Sequence, residues 1–378
     1  MFIPISPITT FTQVLSSQGS THLRLFGGSN AWLYASGRAA LLAGLRLLPR
    51  GGPCRIWIPA YLCRSLLPPI EACGFKALLY DITDQLQPQF EAITPEAGDA
   101  VLVVHYFGIA QGMEPVRAFC KARGLFLIED CAHALPDPSS SIHVGSYGDL
   151  AFFSLRKQLP VPDGGVLMVN SSVIGQPSSD HQLLTATPVA LRAILTMVAH
   201  RIAFQCGWNI LPLKDRLRPV VGSAEPPDPL NDDHGPSSMT RHLLSCLDWE
   251  SLIQKKKENY RSLLAILAGI PGVDLPIASP PEGSVPQVFP IWVSDPASVS
   301  QRLRARGIDA FSWPGTELLP NIDLTLYRGT ATWHRRNLCL PIHQNLAPRH
   351  IEWMARCVQE TIGRHDGCQA NPVTNRDL

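Results

Sequence analysis

The sequence predicts an α/β fold built on a parallel or mostly parallel sheet. Short apolar runs, long enough for buried strands, occur at residues 55–60, 75–82, 100–107, 125–128, 150–153 and 166–169. A helix-like segment, residues 114–123, separates two of these runs and ends at Gly124. Strands that alternate with helices along a chain usually pair in parallel, so this order favours an α/β sheet.

Length and composition predict a globular chain with a large and a smaller domain. The chain has 378 residues, which is long for a single core. Its net charge of +1 gives no electrostatic basis for binding nucleic acid or an acidic membrane. The ten cysteines form neither C-x-x-C nor a zinc-ligand spacing, which predicts a reducing, cytoplasmic location and no metal site. We find no signal-peptide pattern and no run of about 18 apolar residues.

Residues 125–170 carry the side chains with the clearest chemistry. Asp130 follows the first apolar run of this stretch, and Ser154 and Lys157 follow the second. A Gly-Gly turn then leads into the third run. Ligand sites in open α/β sheets are built just past strand ends, so we expect these three side chains to face one site.

A carboxylate, a hydroxyl and a lysine together are typical of pyridoxal phosphate chemistry. The amine of Lys157 would form a Schiff base with the cofactor aldehyde. Asp130 would keep the pyridine nitrogen protonated, and Ser154 would bind the phosphate. The alternative is an ordinary Rossmann-like enzyme in which Lys157 is solvated and Asp130 only caps a loop.

Three consecutive motifs in this stretch, IEDCAHA, GSYGDLAFFSLRK and DGGVLMVN, resemble the core signature of DegT/DnrJ/StrS-type sugar aminotransferases. Further segments match the same family in the same order: YASGRAALLAGLRLL, WIPAYLCRSLLPPIEACGF, VVHYFGIAQGMEPVRAFCKARGL and LCLPIHQNLAPRHIEWMA. The resemblance implies a fold-type I pyridoxal phosphate enzyme whose sheet is sandwiched by helices. It implies a large cofactor-binding domain with an N-terminal arm (1–245), a small C-terminal α/β domain (246–365) and a disordered tail (366–378).

The resemblance also assigns roles around the cofactor. Lys157 would carry the cofactor, and Ser154 would bind its phosphate together with the backbone amides of Gly37 and Arg38 at a helix start. The alternative for this helix start is that Ser36 serves only as its N-cap.

Within IEDCAHA, the resemblance places Asp130 against the pyridinium nitrogen. Ala132 would give a small surface under the ring, and His133 would lie near the phenolic oxygen. We interpret Glu129 as a neighbour in a polar network and not as a catalyst. His105, near the end of a strand, is interpreted as a structural histidine; the alternative is that it faces the site.

Two departures from the family pattern concern the site. Cys63 stands where the family usually places an aromatic residue that stacks on the cofactor ring; Tyr61 or Tyr106 is an alternative stacking partner, or Cys63 packs on the ring itself. In place of an Asn-x-Arg-like element that reaches the partner subunit, this chain has GPSSMTRHL, with the polar candidates Ser237, Ser238 and Arg241.

The predicted function is amino-group transfer from an amino acid, by resemblance glutamate, to a keto-sugar or related cyclic ketone. The fold also implies a homodimer with a shared active site. Two alternatives are a dehydratase-like pyridoxal phosphate enzyme, against which Lys157 speaks because such relatives carry histidine there, and a non-catalytic cofactor-binding scaffold or regulator.

Other parts of the chain carry weaker expectations. We expect residues 1–29 to be irregular and to lie over the surface, and residues 242–267 to form one long helix. The apolar segment 188–208 is interpreted as an added helix that packs within the protein or at a dimer contact. Candidates for a substrate entrance are Trp313, His334, Arg335 and His343.

Overall fold

The computed structural model of the protein describes residues 1–9, 25–26, 28–49, 54–177, 188–213 and 234–366. The strands of this part are β1 Ala31–Tyr34, β2 Arg55–Pro59, β3 Lys76–Ile82, β4 Pro88–Gln89, β5 Ala100–Val104, β6 Phe126–Cys131, β7 Leu150–Ser154, β8 Gly165–Val169, β9 Val288–Trp292 and β10 Asn337–Pro341. Its α-helices are α1 Gly37–Leu47, α2 Leu67–Ala72, α3 Met113–Arg123, α4 Leu155–Gln158, α5 Pro188–Cys206, α6 Ser238–Ser245, α7 Trp249–Leu267, α8 Pro296–Ala305, α9 Arg328–Arg336 and α10 Pro348–Asp366. The tail predicted at 366–378 lies, beyond its first residue, outside the described residues.

The first eight strands form one sheet in the order β1-β8-β7-β6-β5-β2-β3-β4. Its five central strands, β7, β6, β5, β2 and β3, run parallel. Strands β8 and β4 are antiparallel to their inner neighbours. All five residues of β5 are buried, as expected for a strand covered on both faces. The predicted α/β fold with a mostly parallel sheet is confirmed.

Helix α1 packs on the large sheet next to the candidate site, and it lies close to strand β8. A Cβ atom on Gly44, in the middle of this helix, would come within 2.9 Å of Leu167 on β8. The helix therefore packs against the strand through glycine, with its start directed at the edge where β7 ends.

A second, two-stranded sheet pairs β9 and β10 antiparallel. Its apolar residues join a core with helices α7, α8 and α10. Helix α9, which directly precedes β10, is hydrogen-bonded to the end of β3 in the large sheet. There the Asp81 carboxylate accepts the N–H groups of Gly329 and Thr330, each at 3.0 Å. The division at residues 245 and 246 stays a prediction.

The expectation that the N-terminal residues lie over the surface is wrong for the first few. Phe2 and Ile3 are fully buried. The N–H of Ile3 donates to the carbonyl of Gly307 at 2.7 Å, and its side chain joins the C-terminal core. Two large apolar side chains at the start of a chain gain more from burial than from solvation.

Residues 242–267 do not form one helix, because the helical conformation is interrupted between α6, which ends at Ser245, and α7, which begins at Trp249. Asp248 begins the second helix as its N-cap and accepts the N–H of Ser251 at 3.0 Å. A capping carboxylate stabilises a new helix start here.

Helix α5 confirms the helix expected near residues 188–208. Its side chains at Leu191, Leu195, Val198 and Ile202 are exposed along one face. None of the helices in the described ranges is long and apolar enough to cross a membrane.

Candidate active site

Asp130 and Lys157 are brought together by two neighbouring parallel strands. Asp130 lies in β6 opposite Phe152 of β7, and α4 carries Lys157 three residues after β7 ends. Strand β6 ends at Cys131, three residues beyond the predicted apolar run, and it includes Asp130, whose side chain is only 3% exposed.

The negative charge of Asp130 and the positive charge of Lys157 stabilise each other, while burial disfavours both charges. Burial raises the pKa of Asp130 to about 6, while the nearby Lys157 ammonium opposes that shift. Burial likewise lowers the pKa of Lys157; Asp130 opposes the shift, and the positive charge of Arg38 adds to it. The N–H of Ala132 donates to Asp130 Oδ1 at 2.8 Å. Among the described residues no hydrogen bond reaches Oδ2, which is therefore available to a ligand.

The start of α1 and the end of β7 form a cradle of backbone and small side chains. Ser36 is the N-cap, and its Oγ accepts the N–H of Ala39 at 3.2 Å. A Cβ on Gly37 would lie 3.0 Å from Ser154 Cβ, and one on Gly165 would lie 2.3 Å from the carbonyl carbon of Ser36. The Ser154 side chain makes no capping hydrogen bond. A helix start beside a hydroxyl is suited to a phosphate.

His133 lies near Lys157 and packs against two aromatic rings. Its ring stacks on Phe107, with centroids 6.2 Å apart, and meets the edge of Trp313 at 4.9 Å. The N–H of Phe107 donates to His133 Nδ1 at 3.4 Å, which places the ring proton on Nε2. Burial and the nearby Lys157 hold the pKa of His133 well below its usual range, so the ring is a neutral N–H donor.

This position of Phe107 explains why the strand predicted over residues 100–107 is shorter. Strand β5 ends at Val104, and the chain turns through Phe107 with φ of 57°. The next residue, Gly108, packs so tightly that a Cβ would lie 2.1 Å from the carbonyl oxygen of Val285. The turn thus delivers the Phe107 ring to His133.

Cys63 is half-buried beside Lys157, where its charged form would raise the pKa of the lysine. The two tyrosines considered as alternative stacking partners are buried in the core. The Tyr106 hydroxyl donates to the carbonyl of Tyr61 at 2.8 Å, and the Tyr61 hydroxyl donates to the carbonyl of Trp313. Both hydroxyls are hydrogen-bonded in the core, and the assignment of Cys63, Tyr61 or Tyr106 to the cofactor ring stays a prediction.

Of the polar candidates in the GPSSMTRHL segment, Ser237 is hydrogen-bonded within its own subunit. Ser237 is the N-cap of α6, and its N–H and hydroxyl both donate to the Asp163 carboxylate. Ser238 is exposed. Arg241 is half-buried, and burial lowers its pKa while Asp163 opposes the shift. Ser237 therefore organises the loop after Lys157's helix.

The polar network at Glu129 is structural. Its carboxylate accepts three backbone N–H groups at 2.6–3.0 Å, from Gly145, Tyr147 and Gly148. His105 Nε2 donates to the same carboxylate at 2.9 Å, because its Nδ1 accepts the N–H of Gln111. Cys131 brings a third metal-ligand type within 4.8 Å, but these hydrogen bonds already occupy Glu129.

Sequence reasoning missed the residues that hold α4 from the C-terminal part of the chain. Gln287 Nε2 donates to the carbonyl of Lys157 at 3.3 Å, and the Gln287 N–H donates to the carbonyl of Phe107 at 2.7 Å. Gln287 belongs to no motif, and no local signal marks it.

Of the four residues expected at a substrate entrance, the structure brings Trp313 to the site through His133. Arg335 is exposed and His334 half-buried. The expectation is wrong for His343, which is 1% exposed and whose pKa burial lowers to about 3.

The sequence is similar to known aminotransferases. Residues 23–177 match the sequence model of the DegT/DnrJ/EryC1/StrS aminotransferase family. The dTDP-4-dehydro-2,3,6-trideoxy-D-glucose 4-aminotransferase of Saccharopolyspora spinosa is 27% identical over 354 residues, which cover 87% of this chain and 84% of that protein. The L-glutamine:2-deoxy-scyllo-inosose aminotransferase of Streptoalloteichus tenebrarius is 39% identical over 149 residues, 38% of this chain and 35% of that protein.

Solved structures show the same fold at low identity. The PMP-form of the sugar aminotransferase Spr1654 from Streptococcus pneumoniae, described there as putative, has a TM-score of 0.70 at 18% identity and covers 98% of this chain and all of its own. Helicobacter pylori PseC, an aminotransferase of pseudaminic acid biosynthesis, has a TM-score of 0.68 at 16% identity over 96% of this chain and 99% of its own.

Proposed function

We propose that this chain transfers amino groups with pyridoxal 5′-phosphate, because residues 23–177 match the sequence model of the DegT/DnrJ/EryC1/StrS aminotransferase family. The donor is an amino acid, glutamate in the first instance, and the acceptor is a keto-sugar or related cyclic ketone. The observation that carries the proposal is the convergence of Asp130 and Lys157 beside the glycine-lined cradle at the start of α1.

The residues present fit the cofactor at both of its ends. Asp130 Oδ2 is available for the pyridine N–H, and Ala132 offers a small side chain next to it. At the other end, Gly37 and Arg38 begin α1, and Ser154 supplies a hydroxyl. The closeness of Gly37 to Ser154 leaves the cradle lined by backbone and small groups, as a phosphate requires.

Lys157 is the residue that handles the proton. When bound, the cofactor supplies an aldehyde for this amine and a ring that accepts electrons. With a donor amine bound in its place, Lys157 Nζ would take the proton from the substrate carbon and would return it on the cofactor side. Burial lowers the pKa of Lys157 and so favours the neutral amine that this step needs. Positioned acid–base groups of this kind contribute about 10²- to 10⁴-fold to rate.

Asp130 and His133 set the charge around the ring. With its pKa near 6, Asp130 would be mostly ionised at neutral pH and would hold a positive ring nitrogen. His133 is neutral and donates from Nε2, which suits the phenolic oxygen. A neutral donor would stabilise that oxyanion without placing a second positive charge beside Lys157.

The names of relatives guide the choice of substrates. One relative acts on a dTDP-linked keto-sugar, and another on a cyclic ketone with L-glutamine as donor. Glutamine therefore belongs beside glutamate in a donor screen, and both nucleotide-linked and free cyclic ketones belong in an acceptor screen.

We also propose a cytoplasmic homodimer with a shared active site. All nine cysteines in the described ranges are free thiols, which suits a reducing compartment. The exposed apolar face of α5 supports self-association, because a largely apolar helix is stable in water only when covered.

A non-catalytic cofactor-binding scaffold is the second candidate. Two observations favour it: Cys63 supplies no aromatic face, and Ser237 is engaged with Asp163 in its own subunit. The retained Lys157 and its partner Asp130 favour the enzyme.

Absorbance separates the two candidates. Purified protein loaded with pyridoxal phosphate should show a visible band that falls on addition of glutamate or glutamine. Lys157→Ala should lose both this response and turnover, by about a hundredfold or more. A band that ignores every donor, with unchanged behaviour in Lys157→Ala, would support the scaffold.

A further inference from the structure

A second lysine lies fully buried directly behind the site. Lys256, on α7, is 1% exposed. Its Nζ donates to the backbone carbonyl of Gln158 at 2.9 Å and also to the Gln158 side-chain oxygen. In the described part of the chain it forms no ion pair with a carboxylate. Burying an ammonium group without a counter-ion is costly, so this position needs an explanation.

Gln158 connects that lysine to the catalytic machinery. It is the last residue of α4 and follows Lys157 directly. Because its Oε1 accepts from Lys256, its amide nitrogen faces the other way. There Nε2 donates to the carbonyl of His133 at 2.5 Å and to the carbonyl of Val285 at 3.0 Å.

Helix α4 needs such support because it is only four residues long. The last carbonyls of a helix have no partner within the helix. Gln287 takes the carbonyl of Lys157, and Lys256 takes that of Gln158. Both helpers come from the C-terminal half of the chain, so the lysine that carries the cofactor is held from outside its own strand.

We propose that Lys256 is a positioning residue for the transfer reaction, acting through Gln158 on Lys157 and His133. The inference rests on the proposed function and names a part of that site which the sequence motifs leave out. Lys256 does not touch the reacting atoms; its contacts fix the carbonyl end of α4 and the direction of the Gln158 amide.

The test compares Lys256→Met and Gln158→Met, singly and together, with Lys255→Met as the matched control. Lys255 is the preceding residue on α7 and pairs at the surface with Glu258. We expect Lys256→Met to lower kcat at least tenfold with little change in KM for the donor, and the control to match the wild type. If the two buried residues act through one contact, the double variant should be no worse than the more damaged single variant.

A second readout uses protein without cofactor. The rate at which trinitrobenzenesulfonate modifies Lys157, located by peptide mass mapping, should change at least threefold in Lys256→Met and stay unchanged in Lys255→Met. This readout holds even if the wild type transfers no amino group, so failure of the proposed function is distinguishable. Lys256→Gln keeps an N–H donor and serves as the second variant if Lys256→Met folds poorly. Its kcat and Lys157 labelling rate should lie between those of Lys256→Met and the wild type.

The proposal is overturned if Lys256→Met lowers the melting temperature while kcat and Lys157 labelling stay within twofold of wild type. Multiplying losses in the double variant would also overturn it, because they would show two independent effects.

Discussion

The buried carboxylate of Asp130, which we propose holds the cofactor ring, destabilises the folded cofactor-free protein. Its carboxylate is buried against β7, and its pKa is raised to about 6 from an ordinary value of 3.8. An acid whose pKa is raised on folding releases its proton more readily in the unfolded chain. Folding is therefore opposed increasingly as the pH rises from about 4 to about 6, and the penalty is constant above that.

Asp130→Asn should stabilise the cofactor-free protein at neutral pH. A shift of roughly two pH units corresponds to about 3 kcal/mol, and loss of the favourable contact with Lys157 offsets part of this. The difference in urea midpoint between variant and wild type should be small at pH 4 and favour the variant at pH 8. Cofactor affinity should fall in the same variant. Equal or lower stability at pH 8 would contradict this account of the burial cost.

Cys63 is the residue at which the predicted site departs most visibly from the pattern of the family that the sequence resembles. Cys63→Phe should lower the dissociation constant for pyridoxal phosphate roughly twofold to tenfold, since an aromatic pair contributes about 0.5–1.5 kcal/mol beyond its buried area. Cys63→Ala is the control and should change affinity little. Weaker binding in the phenylalanine variant would mean that the ring does not lie at this residue.

The site residues that sequence reasoning finds are those with local signals. Asp130, Ser154 and Lys157 lie at or just past the ends of two neighbouring strands and stand in one contiguous stretch. Gln287 and Lys256 are 130 and 98 residues away from their partners in α4, and nothing in their surroundings marks them. Such contacts depend on how the C-terminal part packs, which no local pattern encodes.

At the scale of elements, the junction of α1 with β8 decides the shape of the cradle. Gly165 begins β8 and pairs with Tyr34 of β1. Its Cα faces the backbone of Ser36 so closely that a side chain has no room. The glycine pair in the DGGVLMVN motif is thus a requirement of packing as well as of the turn.

Gly165→Ala should displace the start of α1. The added Cβ would meet backbone atoms at 2.3 Å, and overpacking of this kind costs about 1–3 kcal/mol. We expect a lower urea midpoint and a loss of phosphate-dependent cofactor affinity, measured as pyridoxal phosphate against pyridoxal. Gly175→Ala, where a Cβ would meet nothing within 4 Å, is the control. An unchanged preference for the phosphate would show that this helix start does not bind it.

The sequence predicts element boundaries correctly where an apolar run meets glycine or proline. It misses boundaries that are set by a helix-capping side chain. Helix α3 ends at Gly124 in the left-handed conformation, as its sequence indicates. The break before α7 depends on the Asp248 cap, which competes with continuous helical periodicity over residues 242–267. The early end of β5 depends on the Phe107 turn, which serves His133.

At the scale of the whole molecule, the N-terminal residues and α5 join the C-terminal part of the chain. Phe2 packs with Ala203 and Leu211, while Ile3 enters the core beneath β9 and β10. Another face of α5, with Leu191, Leu195, Val198 and Ile202, stays exposed.

Leu195→Glu should weaken self-association. Leu195 is 63% exposed and central on that face, and a buried unpaired carboxylate at an interface is strongly unfavourable. Light scattering coupled to gel filtration should show a dimer for wild type and a larger monomer fraction for the variant. Arg261→Glu, at an exposed position of α7, is the control. A dimer of unchanged stability in Leu195→Glu would move the interface elsewhere.

The parallel sheet and its site-bearing edge were predictable because alternating strands and helices fix which strand ends meet. The attachment of the N-terminus to the C-terminal core was not, because it joins residues more than three hundred positions apart, such as Ile3 and Gly307.

The central claim is that Lys157 carries the cofactor. The most direct measurement is borohydride reduction of the protein loaded with pyridoxal phosphate, followed by peptide mass mapping. The account predicts the reduced cofactor on Lys157 and none on the buried Lys256. Attachment to another lysine, or no attachment at any lysine, would contradict it.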